Sequence, residues 1–132
     1  MLDFRGFEAS RIFQGCRNAV YFAGVKPGEE VMLLTDPKAD PVVIEALMLA
    51  SVERGAEVTI MVKRAAENPA ERLPRHVAVA CTAVDVVFDV GTSFNVHQKS
   101  AWRAIHEYGT RWVSVEPNQR VLASPAATCD LE

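Results

Sequence analysis

The three cysteines of this 132-residue sequence, Cys16, Cys81 and Cys129, are odd in number and far apart. No C-x-x-C pair is present to hold zinc or carry dithiol chemistry, and the expectation is three reduced thiols. No two histidines among His76, His97 and His106 stand in H-x-x-x-H or H-E-x-x-H spacing, so no pair of rings is set to share a metal. No G-x-S-x-G elbow marks a hydrolase serine. Glycine is missing where an α/β protein would use it. The first strand-like run ends in "TDPKADP", without the glycines that let a backbone approach a pyrophosphate, and neither a dinucleotide fingerprint nor a Walker loop follows.

Basic residues form no stripe. Lys and Arg number 14 against 17 Asp and Glu, the net charge is -3 and the pI about 5.6, so the electrostatic footprint of nucleic-acid binding is absent. No apolar window is long enough to span a bilayer. The opening "MLDFRGFEAS" lacks the basic-then-apolar order of a signal peptide, so the expected location is cytoplasmic.

What is present is apolar and periodic. Hydrophobic residues make up 49% and charged residues 23%, enough for one domain that buries roughly two-thirds of its unfolded surface. From Phe7 to Ala23, Ile12, Phe13, Cys16, Ala19, Val20 and Ala23 recur at helical spacing, with Arg11, Arg17 and Asn18 off that face. The run "EVMLLTD" reads as a buried strand. Asp40 and Pro41 read as the N-cap and first position of a helix whose inner face is Val43, Leu47 and Ala50. "EVTIMVK" is a second strand, Arg75 to Thr82 a short helix, "VDVVFDV" a third strand, "HQKSAWRAIHEY" a helix carrying Ala101, Trp102 and Ile105, and "RWVSVEP" a fourth strand.

Alternation of strands and helices, with strands too apolar for a wet face, implies an α/β, Rossmann-like, open and mainly parallel four-stranded sheet with helices on both faces. The expected order is 2-1-3-4. Residues 1–118 are taken as a single α/β domain and 119–132 as a tail, mobile or docking.

Ligands of such sheets sit beyond the carboxyl ends of the strands, at the switch in strand order. The exits supply Asp36 and Lys38 from the first strand, Asp89, Thr92, Ser93 and His97 from the third, and Glu116 from the fourth. Asp36 and Asp89 together would attract a cationic or amide-bearing group rather than phosphate. The first helix is unusually aromatic. Phe4, Phe7, Phe13, Tyr21 and Phe22 either pack on the sheet or form a stripe through which two copies pair, with Phe13, Tyr21 and Phe22 as the interface candidates.

The ordered features "GVKPGEEVMLLTDPKADPVVIEALMLASVERGAEVTIMV", "VDVVFDV" and "YGTRWVSVEP" resemble the N-terminal domain of the aminopeptidase T-like metallopeptidases and the related 2,5-dihydroxypyridine dioxygenases, over about residues 10 to 118. In that family the metal ligands and catalytic groups belong to a larger C-terminal domain. The resemblance therefore carries over no catalytic residue, no metal and no cofactor. It implies a stand-alone, non-catalytic binding protein for a peptide or protein, working as a homodimer and as an accessory beside peptide-modifying enzymes, as in natural-product biosynthesis. The alternative it leaves is a substrate-recognition domain excised from a metal-dependent aminopeptidase or ring-cleaving dioxygenase. A small enzyme would need Asp36, Asp89 or His97 as acid or base.

Overall fold

The computed structural model describes residues 5–93 and 95–131. The elements run α1 (Arg5–Phe22), β1 (Glu30–Thr35), α2 (Pro41–Glu53), β2 (Glu57–Val62), α3 (Arg75–Thr82), β3 (Val86–Asp89), α4 (Lys99–Tyr108), β4 (Arg111–Ser114) and α5 (Gln119–Leu122). All strands are parallel, in the order β2-β1-β3-β4. That is the expected order, with β1 and β3 at the centre.

β1 and β3 are buried along nearly their whole length, and period-two alternation divides their side chains between two layers. Val31, Leu33, Val86 and Phe88 pack under α1 and α2, whereas Met32, Leu34 and Val87 pack against α3 and α4. The sheet therefore has helices on both faces.

Local chemistry explains the boundaries. Asp40 Oδ1 accepts a hydrogen bond from Val42 N at 2.9 Å and Pro41 opens α2, so the cap satisfies a donor that the first turn leaves free. Gly109, at φ 74°, ends α4 in the left-handed conformation that a side chain resists. At the amino end of the sheet Arg111 clamps three elements. It donates to Ala23 O at 3.0 Å and pairs with Glu29 Oε1 at 2.6 Å.

Three readings of the sequence need correction. β2 lies at the edge, as the expected order has it, but its Thr59, Ile60 and Val62 face solvent, against the expectation of strands without a wet face, because only one neighbour covers it. Trp102 points outward and stacks on His106 with ring centroids 4.8 Å apart, leaving Ala101 and Ala104 as the inner face of α4. Asn18 is buried. Its amide donates to Ala127 O at 2.7 Å and to Cys129 O at 2.9 Å, so a polar residue marks where the C-terminal segment lies along α1. That segment also contains α5, whose Leu122 is buried over Gly15. Phe4 and the side chain of Phe7 lie outside the described residues.

Candidate functional site

The carboxyl ends of β1 and β3 lie side by side, but the carboxylates there are already used. Asp36 is buried; its Oδ2 accepts from Thr92 N at 2.6 Å and Thr92 Oγ1 at 2.9 Å, and its Oδ1 accepts from Lys38 N at 2.9 Å. Burial alone would raise its pKa. The bonds from Thr92 and Lys38, with the charge of Lys63, outweigh that and hold the carboxyl below its usual range. Gly91 makes the arrangement possible, since a Cβ there would stand 2.9 Å from Asp36 Oδ2.

Asp89 is buried as well and behaves oppositely. Its oxygens accept from Asn95 N at 3.1 Å and Asn95 Nδ2 at 3.0 Å. Burial nonetheless dominates and raises its pKa, with the Asn95 bonds and a weaker contribution from the Trp112 indole only partly offsetting it. That indole N–H has no partner in hydrogen-bonding geometry.

From Asp89 a hydrogen-bonded chain leads outward to the loop after β2. Gln98 Nε2 donates to Asn95 Oδ1 and to Glu71 O, both at 3.0 Å, while Gln98 Oε1 accepts from Leu73 N at 2.8 Å. Gln98 is the N-cap residue of α4, yet its side chain makes no cap bond. It holds the 66–73 loop against the helix start instead.

That loop, α3 and the start of α4 enclose a cavity of about 1200 Å³. Its wall is apolar at Leu73, Ala78 and Val79 and cationic at Arg72, Arg75, Lys99 and Arg103, with Glu67 the single lining acid. Arg103 is committed to Glu107 at 2.8 Å. Arg75 and Lys99 are the first residues of α3 and α4, neither of which has an acid in its first turn. Cations there oppose the helix dipole, and they add to the positive potential of the cavity. Ser93 contributes a buried hydroxyl without a partner.

The expected site residues therefore divide among three places. Thr92, Ser93 and His97 line the large cavity. Lys38, Thr92 and Glu116 line a second, shallower one of about 840 Å³ between the β1 exit and the Asn118 turn. Asp36 and Asp89 lie beneath, as struts. Asp36 and Asp89 do not present the anionic surface that their charges suggested; the large cavity is cationic. Arg72, Arg75 and Lys99 were not foreseen. Their signal in the sequence is a basic residue at each of two successive helix starts. Of the helix aromatics, Phe13 packs against the core while Tyr21 and Phe22 are exposed.

Among the described residues no group of three or more His, Cys, Asp and Glu is placed to hold a metal ion. No described helix is long and apolar enough to cross a membrane.

No protein-family model and no curated protein matches this chain. Solved structures do resemble it. 2,5-Dihydroxypyridine dioxygenase from Pseudomonas putida KT2440 superposes with a TM-score of 0.72 at 19% identity, over 87% of this chain and 36% of that one. A benzoate CoA ligase from Burkholderia xenovorans LB400 gives 0.54 at 15% identity, over 87% and 22%. VinN gives 0.53 at 12% identity, over 92% and 28%. These likenesses establish a fold shared with portions of larger chains, among them enzymes, and this chain spans about a third of the dioxygenase.

Proposed function

We propose that this chain is a non-catalytic recognition domain that takes an acidic, partly apolar peptide segment into the cavity between the 66–73 loop, α3 and α4, serving as an accessory to peptide-modifying enzymes. The observation that carries this reading is the cavity wall, where Arg72, Arg75 and Lys99 stand beside Leu73, Ala78 and Val79. A cavity at or above the usual small-molecule range suits an extended segment. The engagement of Asp36 and Asp89 in internal hydrogen bonds supports a binding role over acid–base work.

A second reading, a recognition domain of a metal-dependent aminopeptidase or ring-cleaving dioxygenase, is favoured by the superposition with the dioxygenase. The mass of the native product in its source organism separates the two.

Calorimetry with six- to ten-residue peptides that pair carboxylates with Leu or Phe tests the first. Saturable, metal-independent binding is expected, weakened at least ~10-fold by Arg72→Glu with Arg75→Glu, since each lost charge-assisted contact is worth ~1.5 kcal/mol or more. Absence of binding by acidic peptides, or equal binding by the double variant, would overturn it.

A further inference from the structure

We infer that two copies of this chain join through the free edge of β2, antiparallel about a two-fold axis at Ile60, to form one continuous eight-stranded sheet. This goes beyond the peptide-binding reading and stands without it.

The backbone sets the register. Glu57 N donates to Glu29 O and Lys63 N to Thr35 O, so the odd-numbered residues of β2 bond to β1. By alternation the N–H and C=O groups of Val58, Ile60 and Val62 point away from the sheet. Exposed edges of this kind are commonly blunted by proline, a bulge or a mid-strand charge. β2 has none of these; its sequence EVTIMV is charged only at Glu57, and Lys63 follows its last residue.

An antiparallel pairing centred on Ile60 sets Val58 opposite Val62 of the second copy and Thr59 opposite Met61. It also sets Glu57 opposite Lys63 at both ends. Opposite charges therefore meet twice in this register, and about six backbone hydrogen bonds close the edge. A foreign strand would have no reason to match the sequence in this way. The self-complementarity names a second copy as the occupant.

The neighbouring helix agrees. α2 is apolar on nearly all sides, and Val42, Leu49 and Val52 are exposed, although a helix with one wet face normally carries polar residues there. Glu53 reaches Arg17 of α1 at 3.2 Å, so the flank with Met48 and Val52 turns away from α1. The same two-fold brings that flank toward its symmetry mate, beside the joined band of Val58, Ile60 and Val62. The interface expected on α1 is not chosen: among the described residues Phe13 packs against the core, and Tyr21 and Phe22 offer a small patch.

Sedimentation equilibrium on the full chain, up to ~300 µM, tests the inference, and a concentration-dependent monomer–dimer equilibrium is expected within that range. Ile60→Lys, on a partly exposed side chain, should leave circular dichroism unchanged and weaken association at least ~10-fold. Glu57→Lys or Lys63→Glu alone should weaken it about three- to tenfold, and the two together should recover most of the loss. A monomer throughout, a dimer indifferent to Ile60→Lys, or a double reversal no tighter than either single one would overturn the pairing.

Discussion

Gly15→Ala sets two physical effects against each other. In an exposed helix interior the change would stabilise by about 0.5–1 kcal/mol, because glycine has more chain entropy to lose. Here the new Cβ would stand 1.9 Å from Leu122 O, against the 3.4 Å at which ordinary contact begins. The α5 turn must therefore retreat by roughly 1.5 Å, and the contact it loses is backbone, which cannot rotate aside. Leu122, 5% exposed, forfeits burial worth about 1.5–3 kcal/mol. The two bonds from Asn18 to Ala127 and Cys129 add about 1 kcal/mol each. Freedom regained by the released segment and the helix gain offset part of this, leaving a net loss of about 1–3 kcal/mol. The melting temperature should fall by about 3–10 °C. Hydrogen exchange should localise the change to the amides of Leu122, Ala123 and Thr128, which are bonded within the segment. A variant with a raised melting point and unchanged protection there would show that the close packing of α5 on α1 is wrong.

Asp36→Ala removes three accepted hydrogen bonds at a buried position, and chemical denaturation should register a loss of about 2–4 kcal/mol. Because the folded carboxyl titrates below its unfolded value, its contribution is present above the unfolded pKa and lost as pH falls through the folded one, so the gap between wild type and variant should close on acidification. Asp89 has the opposite sign. Its folded pKa is raised, so wild type should lose stability relative to Asp89→Asn as pH rises from about 4 toward neutrality, read as melting temperature against pH. Burial pushes the Cys16 and Cys81 thiols up to about 12, while Cys129 is exposed. A thiol reagent at mildly alkaline pH should label Cys129 alone in the native protein, and the other two only after unfolding.

The fold was legible where a local signal and a tertiary role agree. Asp40 with Pro41 announces α2, and the unbroken apolar runs of β1 and β3 announce the centre of the sheet. Legibility failed where a residue's role is set by a distant partner. β2 has the composition of a buried strand, and although the expected order 2-1-3-4 puts it at the edge, its apolar side chains give no sign of their exposure. Asn18 reads as a solvent-facing helix residue until its partner in the C-terminal segment is known. α5 is four residues long, too short for periodicity, and owes its place to the absence of a side chain at Gly15. At the site the sequence identifies the strand exits. The fate of Asp36 depends on Thr92, 56 positions away, and the cationic cavity is assembled from two helix starts and a loop that carry no motif.

The dependence of α1 on residues near the C-terminus has a consequence during synthesis. Within this fold α1 is synthesised before the strands it covers, yet its lower end awaits Arg111, 88 positions after Ala23, and its outer side awaits Ala127, 109 positions after Asn18. At about 5–20 residues per second, the apolar face of Ile12, Cys16 and Val20 waits on the order of 5–20 s before its last covering arrives. Among the elements of this fold, an early-made helix is thus completed late, and it is where a chaperone would have the longest time to act.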